Sequence, residues 1–503
     1  MAVHGGKRIS RRHRLAAVAI GLGIAAGGGH STAWADDGPT NSGSFAGHSR
    51  TTPPNSPKNP APAVSHRQKP SKPAASSATP KLSAVQHDSN QKIKGNPVKT
   101  AAAAPKAAAV AATTLPAPNT ATVKTPAPLS PIAKILALPG RIVNTVLQML
   151  GVTGSLHGPR SLFDWAPIDQ ALFGAFRGLE NRLGFNRTPA KQQTPPTLTY
   201  TGPTDDKTPT VAQFFNAASG EYVLGEQPGD VKPFTVNGFQ MQYFNPISGA
   251  AGRVWATSQG QLILSYQGTT GGTRLLFHPL IAIPQIISDG EVIFSRATPQ
   301  AFYDSVTFER RVEAEAVKQG YSTSDIFLTG HSLGAWEAEY VAQRTGRAGI
   351  GFEAPGLNTK VPGNGANSGF VNIETYGDSA SYVSTDLPGL QPFMPPYVPA
   401  GGSKPHYGSI VMLGDPREVN RLQSVSKLWG LNPINDLFMA IDVLVNFNEH
   451  HLPAIQAYNL GISPDPTEFP WYGMPAGPVR NWGGLTIGQL QKAASDAGVL
   501  IAP

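Results

Sequence analysis

The sequence predicts an α/β fold with a largely parallel central sheet and helices on both faces, preceded by a disordered stalk. Three observations predict it. Beyond residue 211, apolar β-rich runs alternate with charged helical stretches; a Gly-x-Ser-x-Gly turn joins one such run to one such helix; and residues 36–130 lack the apolar content a core requires.

The stalk is the plainest of the three. Residues 36–130 contain fifteen prolines and one aromatic residue, Phe45, set in Ala, Ser, Thr and Lys. Such a mixture cannot bury enough apolar surface to offset the entropy of ordering the chain. Before it, Lys7, Arg8, Arg11, Arg12 and Arg14 precede an apolar run over residues 15–26 and the small-x-small site Ala33-Trp34-Ala35. That order predicts a signal peptide over residues 1–35 and a secreted or cell-surface protein. Ser10-Arg11-Arg12 fits a twin-arginine route poorly, because Arg14 stands where a bulky apolar residue belongs.

Charge, counted by segment, narrows the partners. The chain carries a formal +8, but residues 1–35 hold five basic and no acidic groups, residues 36–130 hold eleven and three, and the remainder holds 24 and 29. The folding part is mildly acidic, so nucleic acid is not expected as a partner; contact of the basic tail with an anionic cell envelope is the residual reading beside a solvated linker. With no cysteine in the chain, disulfides, thiol catalysis and thiolate metal sites are excluded.

Residues 131–207 read as a helical preamble and a second, polar linker. Ile132, Ile135 and Leu136, then Ile142, Val143, Val146, Leu147 and Leu150, recur at helical spacing around a break at Pro139-Gly140. Packing of these two short helices on the main body is expected, with contact to lipid as the alternative. Residues 163–185, with Trp165, Phe173, Phe176 and Phe185, resemble a preamble of secreted actinobacterial proteins. The linker is expected over residues 188–207, and residues 208–503 form the catalytic domain.

Within that domain, residues 234–244 and 253–256 read as strands, followed by the buried run Gln261-Leu262-Ile263-Leu264-Ser265-Tyr266 that stops at Gln267-Gly268-Thr269. Residues 298–319 read as a charged helix, 325–328 as a strand, 335–344 as a helix, and 349–353 and 371–375 as strands. Alternation of this kind implies parallel pairing through right-handed crossovers.

The turn Gly330-His331-Ser332-Leu333-Gly334 carries the chemistry. With 54 glycines in 503 residues, such a pattern is expected by chance about 0.5 times, so the pentapeptide alone decides little. Its context decides more: the strand Ile326-Phe327-Leu328 precedes it and the helix beginning Ala335-Trp336-Glu337-Ala338 follows. A serine hydroxyl needs a base and an exposed position, and a strand-to-helix elbow gives it both the exposure and the helix N-terminal N–H groups for an oxyanion. Ser332 is therefore the expected nucleophile, against the plain reading of a βα turn with an incidental serine.

Four separated segments in order resemble the class 3 lipase family of α/β-hydrolases. They are Leu264-Ser265-Tyr266-Gln267-Gly268-Thr269, the elbow, Gly351-Phe352-Glu353-Ala354-Pro355, and residues 371–378 followed by the proline-rich residues 387–396. The resemblance covers roughly residues 234–460 and implies an α/β-hydrolase fold with a Ser, Asp, His triad acting on lipid esters. Gln267 stands where the family has an arginine and Ala335 where it has a glycine. By the same resemblance Thr269 and Leu333 supply the oxyanion hole and Asp378 is the triad acid, with Asp386 its rival. The base is expected among three histidines: His451 first, from the run Glu449-His450-His451-Leu452-Pro453, then His450, then His406. A zinc reading of that His-His pair with Glu449 is set aside, since adjacent residues of an extended chain point to opposite sides. No cofactor and no metal are expected. Residues 275–287 occupy the place of a lid, with buried core as the equal alternative.

The function these readings imply is a secreted ester hydrolase acting on lipid esters. A phospholipase or cell-envelope acyl-ester hydrolase is the alternative within the same chemistry, and an inactive hydrolase-fold surface interaction protein the alternative outside it. Oligomeric state is not legible.

Overall fold

A computed structural model describes residues 125–185, 197–225, 227–269, 279–294, 297–383, 404–428, 430–471 and 473–503. The expected signal peptide, nearly all of the expected stalk, Asp386 and the proline-rich residues 387–396 lie outside the described residues.

The sheet forms where the sequence concentrates β-branched and aromatic residues. In chain order its strands are β1 (Lys232–Pro233), β2 (Gln242–Phe244), β3 (Ala251–Ala256), β4 (Leu262–Tyr266), β5 (Ile326–His331), β6 (Gly349–Phe352), β7 (Phe370–Thr375), β8 (Ser409–Leu413) and β9 (Leu500–Ile501). Spatial order follows chain order, β9-β8-β7-β6-β5-β4-β3-β1, with β2 also paired to β3. Strands β4 to β8 pair in parallel, and antiparallel partners close both edges. The α/β architecture with a mostly parallel sheet is thus observed.

Both faces are covered. In β4, Leu262 and Leu264 pack with β5 residues Ile326 and Leu328 and with the helices α6 (Gln300–Lys318) and α7 (Leu333–Thr345). The alternate residues Ile263, Phe327, Ile350, Phe352, Val371 and Val411 pack on the opposite face. There they meet α4 (Val211–Gly220), α11 (Pro453–Leu460) and α12 (Ile487–Asp496). The period-2 alternation of a strand divides the apolar residues between two cores, which is why these runs read as continuously hydrophobic.

Three local differences from the sequence reading have physical reasons. Residues 234–244 do not form one strand: Asn237 and Gly238, at φ of 51° and 81°, turn a short hairpin that pairs Thr235–Val236 with Phe239–Gln240. Residues 197–207, expected within a polar linker, are tied down: Thr197 bridges Ile501, Leu198 N–H donates to Leu500 O at 2.8 Å, and Asp206 accepts from Thr486 Oγ1 at 2.7 Å at the start of α12.

The third concerns the preamble helices α1 (Pro131–Leu136), α2 (Leu138–Met149) and α3 (Ala166–Leu183). The break falls at Ala137, with Pro139 inside the first turn of α2. Their apolar stripes mostly face away from the body. Buried are Ala133 of α1, Asn144 and Gln148 of α2 and Asp169, Phe173, Arg177 and Glu180 of α3, while Ile132, Ile142, Ile168 and Leu172 are exposed. Arg177 bonds Glu180 at 2.6 Å, Asn446 at 3.0 Å and the carboxylate of Glu449, so α3 docks by charge pairing onto α10 (Pro433–His450). No helix among the described residues is long and apolar enough to cross a membrane.

Candidate active site

Ser332 stands between β5 and α7 with φ 59° and ψ −129°, a region side-chain-bearing residues seldom occupy. Holding it there costs about 1–3 kcal/mol, which surrounding contacts must offset. They do so by close packing of the motif's two glycines. A Cβ on Gly330 would stand 2.2 Å from Gly334 O, and a Cβ on Gly334 would stand 2.2 Å from Tyr266 O at the end of β4. Ser332 N–H donates to Phe352 O at 2.9 Å, which ties the elbow to β6 as well.

The remaining site residues gather at the same ends of the parallel strands, the usual location of sites in such sheets. Asp378 lies three residues past β7, Thr269 three past β4, and Glu353 directly past β6. His451 is the C-terminal cap of α10. Its Nδ1 is 2.8 Å from Asp378 Oδ2, both side chains are buried, and its Nε2 is buried without a hydrogen bond to another described residue. Because a carboxylate only accepts, Nδ1 carries the proton and Nε2 is left as the acceptor. Asp378 also accepts from Ala380 N–H at 2.8 Å and stands 2.7 Å from Ser381 Oγ. Burial opposes its charge, yet the facing His451, with the hydrogen bonds it receives from His451, Glu353 and Ser381, outweighs burial and holds the carboxyl at about 2.

The other two histidines sit differently. His406 is buried with Nε2 2.8 Å from Ala354 O, and burial pushes its pKa down to about 4. His450 is buried against Gly377 and lies 3.7 Å from both Glu418 and Glu449; burial, then nearby Arg177, push it down to about 3. Neither approaches Asp378 as His451 does among the hydrogen bonds of the described residues. Glu449, the third member of the discounted zinc reading, is held by Arg177. Donor atoms of Glu353, Asp378 and His451 lie within 4.8 Å of one another, a spacing a cation would also tolerate. Glu353 and Asp378 are already engaged by hydrogen bonds, so the set reads as a hydrogen-bonded cluster and not as ligands.

Several residues the sequence reading passed over complete the arrangement. His331 bridges the elbow to His451: its Nε2 is 2.7 Å from His451 O and its Nδ1 2.8 Å from Tyr222 OH. A carbonyl cannot donate, so Nε2 bears the proton and Tyr222 donates to Nδ1. Burial, then the neighbouring His451, lower the His331 pKa to about 3, keeping it neutral. Thr269 Oγ1 donates to Asp289 Oδ2 at 2.7 Å, from helix α5 (Ala282–Phe294). Burial raises the Asp289 carboxyl to about 7 against the lowering effect of Thr269 and His451. His331 lies inside the elbow motif and Glu353 inside Gly351-Phe352-Glu353-Ala354-Pro355, which is the signal available for them; Tyr222 and Asp289 carry no local pattern.

Of the stretch expected as a lid or core, residues 275–278 lie outside the described residues, and the rest forms α5 with its short lead-in. It turns Gln285 and Ser288 inward, toward Gly249, Gly268 and Ser248, and leaves Leu280 71%, Ile283 60% and Ile287 56% exposed. Ile281, Ala282 and Val292 are buried beside Gln285 and Ser288, so its inward side mixes apolar core residues with donors to the carbonyls of Gly249 and Gly268.

No protein-family model matches the chain, and no curated protein matches it. Among solved structures, the extracellular lipase LipA from Serratia marcescens is similar over 29% of this chain and 25% of its own, at 19% identity and a TM-score of 0.21. The likeness therefore spans about a quarter of that lipase.

Proposed function

We propose that the protein is a serine ester hydrolase of the α/β-hydrolase type that acts on lipid esters. The observation that carries this reading is the pairing of His451 Nδ1 with Asp378 at 2.8 Å beside an elbow that strains Ser332 outward. In this reading His451 Nε2 takes the Ser332 proton as Oγ attacks the ester carbonyl, and Asp378 fixes the tautomer and stabilises the imidazolium. Backbone N–H groups of Thr269 and Leu333 receive the developing oxyanion. His451 then gives its proton to the leaving alcohol, and water attacks the acyl-enzyme by the reverse route.

Lipid esters are favoured over sugar or peptide substrates by the outward apolar faces of α1, α2, α3, α5 and α10, which suit contact with a lipid interface. Export to the cell surface or medium is part of the same proposal and rests on the basic and apolar N-terminus. The test is hydrolysis of a chain-length series of p-nitrophenyl esters by the full chain beside Ser332→Ala. Loss of turnover in the variant with a preference for longer acyl chains is expected; turnover that survives Ser332→Ala overturns the mechanism, and a wild type inert to all esters would favour an inactive scaffold.

A further inference from the structure

A single hydroxyl, Ser381 Oγ, stands within hydrogen-bond distance of three buried carboxyl groups. It lies 2.7 Å from Asp378 Oδ2, 2.5 Å from Glu374 Oε2 and 3.1 Å from Glu353 Oε2. A serine hydroxyl has one proton to give and two lone pairs to receive. It can donate to one carboxyl only, so the group is free of repulsion only if the other two carboxyls are neutral. Three ionised carboxylates around one hydroxyl in a buried interior would carry a charge that is costly to leave unpaired.

The protons can be assigned. Asp378 faces the Nδ1–H of His451 and accepts from Ala380 N–H, donors that favour its charged form, so it is the ionised member. Glu353 extends from the end of β6 and Glu374 from β7; both are fully or almost fully buried, and no cation pairs with either among the described residues. Glu374 Oε1 accepts from Ala354 N–H at 2.9 Å, and Glu353 accepts from Thr375 N–H at 3.1 Å and from Thr375 Oγ1. Burial, reinforced by Asp378, raises the Glu353 carboxyl well above its ordinary range, and burial does the same to Glu374. The charged or titratable groups facing Glu353 are Glu374 from β7, Asp378 beyond it and His451 from the end of α10.

The backbone adds an independent sign. Glu353 has φ 55°, in the left-handed region that favours glycine, while its N–H still donates to Ile373 O at 2.9 Å. A glycine would occupy this position without strain. The chain instead carries a long carboxyl side chain there and aims it at the triad acid, a conformation that persists only if the side chain does something.

We propose that Glu353 is a positioning residue for the Ser332, His451, Asp378 relay: in its protonated form it donates a hydrogen bond to Asp378, keeping that carboxylate ionised and fixed toward His451 Nδ1. This rests on the ester-hydrolase reading above. No covalent step involves Glu353; its proton stays on its own oxygen throughout turnover. Without this donor Asp378 becomes more basic and less firmly oriented, so His451 holds its proton more tightly and the acid limb of the pH–rate profile moves upward.

The test uses the full chain with Glu353→Gly, which relieves the backbone strain and so protects the fold, and Glu353→Gln, whose amide restores a neutral donor. Complete loss of an orienting acid costs a serine hydrolase on the order of 10⁴ in kcat; loss of its support is expected to lower kcat about ten- to a hundredfold in Glu353→Gly. KM should stay within about twofold, and the acid limb should shift upward. Glu353→Gln should recover most of kcat and return the limb toward wild type. The proposal is overturned if the two variants behave alike, if Glu353→Gly keeps the wild-type kcat and limb, or if activity proves to need a divalent cation that Glu353→Gln can no longer hold. Ser332→Ala, run alongside, separates the two failures: an active Ser332→Ala removes the ester-hydrolase reading itself, whereas an inactive one beside an indifferent Glu353 removes only this inference.

Discussion

His331 Nε2 donates to the backbone carbonyl of His451 at 2.7 Å, so the residue before Ser332 holds the residue proposed as the base. Tyr222 completes the chain by donating to His331 Nδ1 at 2.8 Å. The position of His451 is therefore fixed by its side chain through Asp378 and by its main chain through His331.

Removing that second support has a defined effect. His331→Ala leaves the His451 carbonyl and the Tyr222 hydroxyl without their shared partner, at about 1–3 kcal/mol of stability. Ester turnover should fall through kcat with little change in KM. Tyr222→Phe should be milder, since only one donor is lost. Urea unfolding and steady-state kinetics on the two variants check this, and a His331→Ala protein with wild-type kcat would contradict it.

The three histidines separate by role. His451→Ala should lose at least about 10³ in kcat, as expected for a base in a relay. His406→Ala and His450→Ala should retain turnover within about tenfold at temperatures where they remain folded, while losing about 1–3 kcal/mol of stability. Kinetics and thermal unfolding of the three proteins decide the assignment; an essential His406 with a dispensable His451 would reverse it.

Stability should depend on pH through Glu468. Burial raises its pKa from 4.5 to about 8, and its Oε2 has no hydrogen-bond partner among the described residues. A carboxyl whose folded pKa is raised contributes stability that is fully present below about 4.5 and is lost as pH rises through about 8. The loss is at most about 5 kcal/mol across that window. Glu468→Gln, neutral throughout, should flatten the decline and be more stable than wild type at pH 8.5. Urea midpoints of both proteins from pH 5 to 9 test this, and parallel slopes would refute it.

How much of this was legible in the sequence follows from where each signal is stored. The strands β4 to β7 and the helices α6 and α7 were readable because a strand covered on both faces is apolar at every position, as in Leu262-Ile263-Leu264, and because Ser332 lies where one period gives way to another. The Asn237-Gly238 turn was equally local but was read through as strand. The cluster of Glu353, Glu374, Asp378 and Ser381 was not legible, since hydrogen bonds between β6, β7 and the following helix leave no spacing in the chain. The outward apolar faces of α1 and α2 misled for the converse reason: helical periodicity shows that two faces differ, not which one meets the body. Asn144 of α2 and Arg177 of α3 decided that, by finding polar partners within the fold.

Those outward faces give a further expectation. Ile434 and Leu437 of α10 are 79% and 62% exposed. Changing both to Asp should weaken cosedimentation with phosphatidylcholine vesicles and slow hydrolysis of emulsified esters, while turnover of a soluble short-chain ester stays within about twofold. Equal loss on both substrates would mean that the substitutions damaged the fold and not a lipid contact.

The most direct test of the central claim is covalent capture of the nucleophile. The full chain is treated with an alkyl fluorophosphonate, and the modified residue is located by mass spectrometry of its peptides, beside His451→Ala and His406→Ala. The account predicts a single stoichiometric adduct on Ser332, formed at comparable rates in wild type and His406→Ala and greatly slowed in His451→Ala. An adduct on another residue, or none on a folded protein that hydrolyses esters, would contradict it.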